Sequence, residues 1–301
     1  MLFRSIKNDK PDGIWIYGEE LSKITNQFKC YRRVHTLPDS EALYYYRMLG
    51  TRFVMNDKNK YLRCAFMYSK FRDMERDFGR DKSIHYHLVG ESDAAFLRDM
   101  APGIQAHFIR HPHYEVKEQS LEGHFHTPIR LLIAGQYNYY MKQNADELVN
   151  ALANPDDYKQ LKDAYQITFL GHGWEQHVKT LKSSGWNAQQ ITFAPDYIDE
   201  ITKHDIQISP ISIGTGTKGK VLDALANGLL VIGTPYALEN IAVEDKKSCL
   251  VYHTAEDVIK ILKDIYRNPK AYEDIAANGK NRVLKEHDRK TISEELFSLF
   301  K

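Results

Sequence analysis

The chain has 301 residues, of which 43% are apolar and 27% are charged, and its formal net charge is +1 at pH 7. This length allows two domains that each bury a core, and a charge near zero gives no reason to expect a nucleic-acid partner. The three cysteines are far apart and lack CxxC spacing, which argues against zinc or a disulfide framework and makes a reducing cytoplasm the default.

Short apolar stretches alternate with helical patterns over the first 112 residues. We predict strands at 12–18, 29–36, 84–90 and 104–112, and helices at 19–28, 40–49, 58–82 and 91–100. Ser40 and Glu41 have the residue types that cap a helix N-terminus, which supports the second of these helices. The alternation predicts a parallel sheet covered by helices. At about thirty residues for each strand–helix–strand unit, this sheet is small.

The pattern restarts after an aperiodic stretch at 113–128, which we interpret as a linker. We predict strands at 129–135, 165–171, 190–195, 205–211, 229–235 and 248–254, and helices at 143–155, 174–185, 218–228 and 255–269. The sequence therefore predicts two doubly wound α/β domains, 1–112 and 129–288, with ligands at the carboxyl ends of the strands. Ile292, Leu296, Leu299 and Phe300 recur at helical spacing in 289–301, and we expect this last helix to pack on the N-terminal domain.

Membrane contact depends on apolar length and on charge. No stretch approaches the roughly eighteen apolar residues of a membrane span, and the start of the chain lacks the apolar region of a signal peptide. Basic residues exceed acidic ones by four in residues 1–120, and acidic residues exceed basic ones by three in 121–301. This asymmetry suits an N-terminal half that faces an anionic acceptor or the inner face of a membrane, although ordinary variation explains it equally well. Peripheral association stays open.

The segment "GTGTKGKV" (214–221) lies between a predicted strand and a predicted helix. Its glycines fit the G-x-G-x-x-G dinucleotide fingerprint, but the next strand ends without the carboxylate that binds the ribose. It also fits the phosphate-binding P-loop up to Lys220, but Val221 replaces the Ser or Thr that binds Mg²⁺. Both patterns share glycines, lysines and a helix N-terminus aimed at an anion. The alternative is a tight turn with solvated lysines.

The helix after this loop carries one carboxylate, Asp223. Val221, Leu222 and Leu225 fall on the side that faces the core, and Asp223 falls on the side of the loop. A phosphate would repel this carboxylate, so it suits the two hydroxyl donors of a ribose. A surface pair between Lys220 and Asp223 is the alternative.

The segment "GTGTKGKVLDALANGLLVIGTPYALENI" resembles the donor-binding segment of GT-B glycosyltransferases of group 1, family 4-like. The resemblance covers about residues 129–290, and the N-terminal domain is shorter than the family's. It implies transfer of a sugar from a nucleotide sugar, and it maps the two glutamates of the family's E-x7-E pair onto Thr215 and Asp223. The donor-binding residues that it implies are Gly135, Gln136, Lys142, Thr215, Gly216, Thr217, Lys218, Lys220 and Asp223.

The resemblance also assigns a role to the N-terminal domain. "VHTLPDSEALYYYR" is similar to the loop where the family keeps an acceptor-side histidine, which maps onto His35. Histidine exchanges protons near neutral pH, although a structural role is the alternative for a histidine in a strand. The tyrosine runs 44–47 and 137–140 could stack on sugar rings, but core or interface packing is the preferred interpretation. The "HPH" at 111–113 lacks a third ligand, so we expect no metal.

The resemblance therefore implies a cytoplasmic, metal-independent, retaining glycosyltransferase, with a UDP or GDP sugar as substrate and no further cofactor. Its acceptor would be the hydroxyl of a glycan, a lipid or a polysaccharide precursor, and we expect no nucleic-acid partner. Two alternatives stay open at this point. One is an inactive GT-B-like binding or partner subunit, and the other is a nicotinamide-dependent oxidoreductase.

Overall fold

The structure is a computed structural model that describes residues 11–117, 124–154 and 159–301. Residues 1–10 of the predicted N-terminal domain, the middle of the predicted linker and the last residue of the predicted helix 143–155 lie outside the described residues. The described chain divides into two compact units. Unit 1 holds residues 11–111, Thr215–Thr217 and Arg289–Lys301, and unit 2 holds the described residues of 112–214 with Lys218–Asp288.

Unit 1 contains a sheet of four parallel strands in the order β1-β2-β3-β4. The strands are β1 (Gly13–Tyr17), β2 (Arg32–Leu37), β3 (Ile84–Leu88) and β4 (Gln105–Phe108). The helices are α1 (Ser22–Thr25), α2 (Glu41–Leu49), α3 (Arg52–Met55), α4 (Lys58–Asp77) and α5 (Glu91–Met100). Ser40 caps α2 as predicted, because its Oγ accepts a hydrogen bond from Leu43 N at 3.1 Å.

The two faces of this sheet are covered by different parts of the chain. On one face, β-strand residues such as Ile84 and Leu88 pack with Leu97 of α5. On the other face, Val34 packs with Ile292 and Leu296 of α14 (Arg289–Ser298). The apolar positions at helical spacing in the C-terminal segment thus bury against unit 1.

Unit 2 contains six parallel strands in the order β10-β9-β8-β5-β6-β7. The strands are β5 (Ile129–Ala134), β6 (Tyr165–Leu170), β7 (Asn187–Ile191), β8 (Ile206–Ser209), β9 (Leu230–Gly233) and β10 (Leu250–Val251). The helices are α6 (Lys142–Ala153), α7 (Lys159–Ala164), α8 (Glu175–Ser183), α9 (Tyr197–Ile201), α10 (Gly219–Ala226), α11 (Pro235–Leu238), α12 (Ala255–Arg267) and α13 (Pro269–Glu286).

Successive side chains of these strands enter two cores, because neighbours along a strand point to opposite faces. Leu131 and Ile133 of β5 pack with α6, α8 and α12, whereas Leu132 between them packs with α9 and α10. Helices therefore cover both faces, and the predicted α/β fold with two parallel sheets is confirmed.

Three of the predicted elements that differ from the structure illustrate why. The strand predicted at 190–195 lies at Asn187–Ile191, and the apolar Phe193 that suggested it is 74% exposed. The helix predicted at 19–28 is a 3-10 turn followed by the four-residue α1, and neither has a side-chain cap. Of the strand predicted at 248–254, Leu250–Val251 pair with β9, and Cys249 forms an isolated bridge with Asp245.

Unit 1 also buries a carboxyl group, that of Glu19, which is 8% exposed. Burial, together with the charges of Glu75, Glu41 and Asp39, raises the pKa of Glu19 to about 9. Burial also raises the pKa of Glu75 to about 7, although Ala42 N and Ser40 Oγ donate hydrogen bonds to it.

We predict that Glu19→Gln stabilises the protein increasingly as the pH rises. Because the folded-state pKa of Glu19 lies above the ordinary 4.5, the folded protein keeps a proton that the unfolded chain releases between about pH 4.5 and 9. The stability of wild type therefore falls as the pH rises through this window. Glutamine does not ionise, so Glu19→Gln lacks this loss. The Tm of Glu19→Gln should exceed that of wild type by several degrees near pH 9 and by little near pH 4.5. Glu294→Gln, which removes an exposed carboxylate from α14, should follow wild type throughout; equal pH profiles for Glu19→Gln and wild type would contradict the prediction.

Candidate functional site

The order of the strands creates a topological switch point in unit 2. β5 lies between β6 and β8, and the chain leaves β5 toward β6 before it returns on the other side through β8. Ligands of open α/β sheets bind at such a switch point, beyond the carboxyl ends of the strands. Here these ends are Ala134 of β5 and Ser209 of β8. The predicted Gly135 and the loop that begins at Gly214 follow these two strands.

The backbone of Gly135, just after β5, lies close to the backbone at the end of β6. Its φ is 130°, and its amide donates a hydrogen bond to Leu170 O at 2.9 Å. The buried Trp174 donates from Nε1 to Gly135 O at 2.8 Å. A Cβ on Gly171 would lie 2.4 Å from Gly135 O, so the two backbones can approach this closely only because residue 171 is glycine.

Lys142 is engaged in a polar network of unit 2. Its Nζ donates to Asp146 Oδ2 and to Tyr137 Oη, both at 2.7 Å, and His177 Nε2 lies 2.8 Å from Asp146 Oδ1. These hydrogen bonds hold the pKa of Lys142 well above its ordinary value. The side chain is still half exposed. Gln136, by contrast, is exposed and follows Gly135 directly.

The three tyrosines at 137–140 have different surroundings. Tyr137 packs against Trp174 and His177, with ring centroids 5.1 and 4.5 Å apart. Tyr139 and Tyr140 stack on each other at 4.2 Å and are 44% and 37% exposed. Tyr137 therefore belongs to the packing around the β5 end.

The two predicted lysines lie at the N-terminus of α10. Lys218 is its N-cap residue, and its side chain folds over Gly214, where a Cβ would lie 2.7 Å from Lys218 Cε. Lys220 is exposed, and its Nζ lies 4.4 Å from the centroid of the Tyr197 ring. Both cations thus accompany the end of a helix whose dipole favours an anion.

Asp223 is buried, which the sequence did not predict. Residues Val221–Ala226 of α10 are all buried, and Asp223 is 5% exposed. Its Oδ1 accepts a hydrogen bond from Tyr114 N at 3.4 Å. Asp223 is buried although it does not face the main core, because a segment of the predicted linker covers that side of α10.

The same segment bonds to the next turn of the helix. Lys117 N donates to Asn227 Oδ1 at 3.0 Å, and Asn227 Nδ2 donates to Glu115 O at 2.9 Å. Asp223 and Asn227 are four residues apart, on one face of the helix. The first part of the predicted linker is thus an extended segment bonded to α10 within unit 2.

Thr215–Thr217 group with unit 1 rather than with the lysines that follow them. Thr215 Oγ1 donates to Asp39 Oδ2 at 3.1 Å, and Thr217 Oγ1 donates to Val89 O at 2.7 Å. Gly216 N donates to Asp93 Oδ2 at 3.0 Å. A backbone amide of the predicted anion-binding loop thus already binds a carboxylate.

Asp39 and Asp93 were missed by the sequence reasoning. Asp93 lies in the first turn of α5 and is fully buried, and its other oxygen accepts from Ser40 N at 2.9 Å. Asp39 directly precedes the N-cap of α2. A carboxylate next to a helix N-terminus is common, so neither position carried a signal of its own.

His35 is fully buried in β2 of unit 1. Its Nε2 hydrogen-bonds to Gly18 O at 2.8 Å, and its ring packs on Phe78 and Tyr86. Burial lowers the pKa of His35, and the bond to Gly18 only partly opposes this. The imidazole in this position supports the turn after β1, and its predicted catalytic role stays a prediction.

The described residues contain no group of three or more His, Cys, Asp or Glu side chains that could hold a metal ion. No helix of the described chain is long and apolar enough to cross a membrane. Cys30, Cys64 and Cys249 are free cysteines.

The two parallel sheets with helices on their faces match the fold of solved GT-B glycosyltransferases, and the N-terminal domain is small. Residues 156–298 match the model of a family described as glycosyl transferase-like. This range includes the glycine loop, α10 and β9. The resemblance to group 1 GT-B glycosyltransferases is confirmed.

Solved structures show the same fold at low sequence identity. Sucrose-phosphate synthase from Thermosynechococcus elongatus is 13% identical, with a TM-score of 0.73 over 99% of this chain and 75% of that one. HepE from Anabaena, solved with UDP-glucose, is 13% identical, with a TM-score of 0.65 over 94% of this chain and 77% of HepE. A TarM mutant from S. aureus, solved with UDP, fondaparinux and alpha-GlcNAc-glycerol, is 11% identical, with a TM-score of 0.69 over 95% of this chain and 55% of TarM. A comparison with curated protein sequences finds no match.

Proposed function

We propose that the protein is a glycosyltransferase that transfers a sugar from a nucleoside diphosphate sugar bound in unit 2. The observation that carries this proposal is the family match over 156–298, which contains the lysine-bearing start of α10 and the buried Asp223. The switch point at β5 and β8 supports the same position for the ligand. HepE and TarM have been solved with UDP-glucose or UDP, which favours a UDP sugar over a GDP sugar as the donor here.

The chemistry proposed for this site needs no protein nucleophile and no metal ion. Lys218, Lys220 and the N-terminal amides of α10 would stabilise the negative charge that develops on the leaving diphosphate. Gly135 and Gln136 would border the donor at the end of β5. The acceptor hydroxyl would attack the same face of the sugar that the diphosphate leaves, which is a retaining transfer. The nucleotide sugar is a substrate, and no cofactor is proposed.

The acceptor and the location extend this proposal. TarM was solved with alpha-GlcNAc-glycerol and with fondaparinux, a sulfated glycan, and WaaG acts in lipopolysaccharide biosynthesis, which favours a glycan or a lipid-linked acceptor here. Such an acceptor suits an enzyme of polysaccharide biosynthesis in the cytoplasm, attached to the inner face of the membrane. His35 would orient or exchange a proton with the acceptor hydroxyl after a local movement that exposes its ring, since a general base must reach the proton that it takes.

We predict that Lys218→Ala and Lys220→Ala weaken UDP binding unequally. The lysine that contacts the diphosphate contributes charge-assisted hydrogen bonds, and its loss should cost about 1.5–3 kcal/mol, or roughly tenfold or more in affinity. Calorimetry with UDP, GDP and NAD⁺ measures this directly. Lys179→Ala on α8 is the control and should bind UDP as wild type does. If both lysine variants bound UDP as tightly as wild type, the loop would be only a structural turn. If wild type bound NAD⁺ more tightly than UDP, an oxidoreductase would be the better proposal.

A second candidate function is a binding subunit without transfer activity. The observation that favours it is Thr215, which stands where the family has its first glutamate, and whose hydroxyl is bonded to Asp39. Asp39 does, however, bring a carboxylate to this position from elsewhere in unit 1. Hydrolysis of UDP sugars separates the two candidates, because a binding subunit would bind UDP without releasing sugar.

A further inference from the structure

Helix α4 exposes large apolar side chains on its outer face. Leu62 is 56% exposed and Phe66 is 68% exposed. They are four residues apart, so they lie next to each other on one face of the helix. The opposite face contains Cys64 and Glu75, which are buried in unit 1. Large apolar side chains that lie side by side in solvent mark an interaction surface more often than isolated ones do.

Basic side chains flank this pair. Lys58 precedes Leu62 by one turn, Arg63 follows it directly, and Lys70 follows Phe66 by one turn. All three are exposed. We call Lys58, Leu62, Arg63, Phe66 and Lys70 the α4 face.

The surroundings of the α4 face add little negative charge. Residues 52–70 contain five basic residues and one acidic residue, Asp57, whose carboxylate lies 3.4 Å from Lys60 Nζ. Asp73, one turn beyond Ser69, is paired with Arg72 and Arg76 at 3.0 and 3.2 Å. The face is therefore apolar along its centre and positive at its edges.

We propose that unit 1 binds an anionic lipid surface through the α4 face. An apolar stripe bordered by Lys and Arg is the arrangement by which a helix lies in the interface of a bilayer, with the apolar side chains among the acyl chains and the cations at the headgroups. A second copy of the chain fits less well, because pairing this face with itself would oppose like charges. The inference rests on the peripheral attachment proposed above and identifies its surface.

Vesicle co-sedimentation of the full chain tests the proposal. Wild type should bind vesicles of phosphatidylcholine with phosphatidylglycerol, should bind pure phosphatidylcholine far less, and should be released by salt. Lys58→Gln with Arg63→Gln removes two cations and should weaken binding about twenty-fivefold, at roughly fivefold for each charge near an anionic surface. Leu62→Ser with Phe66→Ser should weaken it at least about tenfold, since these side chains enter the apolar layer.

Matched variants elsewhere on the surface show whether the effect belongs to this face. Phe193→Ser removes an apolar side chain that is 74% exposed in unit 2, and Lys179→Gln with Lys182→Gln removes two exposed cations from α8. These variants should bind vesicles as wild type does. Melting curves should be unchanged for all four variants, because the altered side chains are on the surface.

Three results would overturn the proposal. They are equal binding to neutral and anionic vesicles, equal losses in the α4 and control variants, and a change from dimer to monomer on Leu62→Ser with Phe66→Ser without any vesicle binding. The last result would assign the face to a second copy. UDP affinity should be the same in wild type and the α4 variants, so failure of the lipid surface and failure of the donor site are distinguishable.

Discussion

Replacing Gly171 with alanine is expected to destabilise the protein by about 3 kcal/mol or more. Gly171 has a φ of 140°, which L side chains rarely adopt, and its amide donates to Ile191 O at 2.8 Å. An added Cβ would lie 2.4 Å from Gly135 O, 2.7 Å from Gly135 C and 3.1 Å from Gln136 N. These are backbone atoms, so no flexible side chain can move aside. The ends of β5 and β6 must separate, and urea unfolding should show a lower midpoint.

A second glycine in unit 2 serves as a control that distinguishes the cost of the steric clash from the cost of the backbone conformation. Gly185 also has a positive φ, 88°, but a Cβ there would approach only Lys162 Cδ, at 3.8 Å. Gly185→Ala should therefore cost only the strain of the conformation, about 1 kcal/mol. Equal losses in the two variants would show that the close approach of Gly171 to Gly135 contributes nothing. Gly171→Ala should also weaken UDP binding in the fraction that stays folded, because Gly135 and Gln136 border the proposed donor position.

The sequence predicts the central strands of unit 2 well for a physical reason. β5 and β6 are buried over most of their length on both faces, so most of their residues are apolar, and the predicted and observed ends differ by one residue. β7 lies at the edge of the sheet and reads Asn-Ala-Gln-Gln-Ile, so its apolar content does not mark it. The strand was instead predicted at 190–195, where Ile191 and Phe193 are apolar, but Phe193 is exposed to solvent. Edge strands, which need fewer apolar residues, are where the pattern fails.

The candidate site was predictable only where its residues are neighbours in the chain. Lys218, Lys220 and Asp223 fall within six residues, and helical geometry relates them. The partners of the preceding residues are remote: Asp39 is 176 residues from Thr215, and Asp93 is 123 residues from Gly216. Such contacts depend on how the whole chain folds, which the sequence pattern does not contain. The burial of Asp223 has the same origin, since its cover comes from a segment 109 residues away.

Asp223→Asn is expected to lower the affinity for UDP by roughly tenfold or more, about 1.4 kcal/mol. If the carboxylate accepts hydrogen bonds from both ribose hydroxyls, asparagine keeps the volume but loses the charge and part of the acceptor capacity. The fold should lose little stability, because the asparagine Oδ1 can still accept from Tyr114 N. Calorimetry gives the affinity, and a melting curve of each protein without ligand gives the stability.

The ligand itself provides the sharper control for Asp223. A 2′,3′-dideoxy analogue of UDP lacks both hydroxyls, so it should bind wild type and Asp223→Asn almost equally and more weakly than UDP binds wild type. Asp223→Glu, which has the side chain that the family has here, should retain more of the preference for UDP over the analogue than Asp223→Asn does. If wild type bound the analogue as well as UDP, the carboxylate would not contact the ribose. Its role would then be to hold the segment at Tyr114 against α10, and Asp223→Ala would change the melting temperature without changing the discrimination between the two nucleotides.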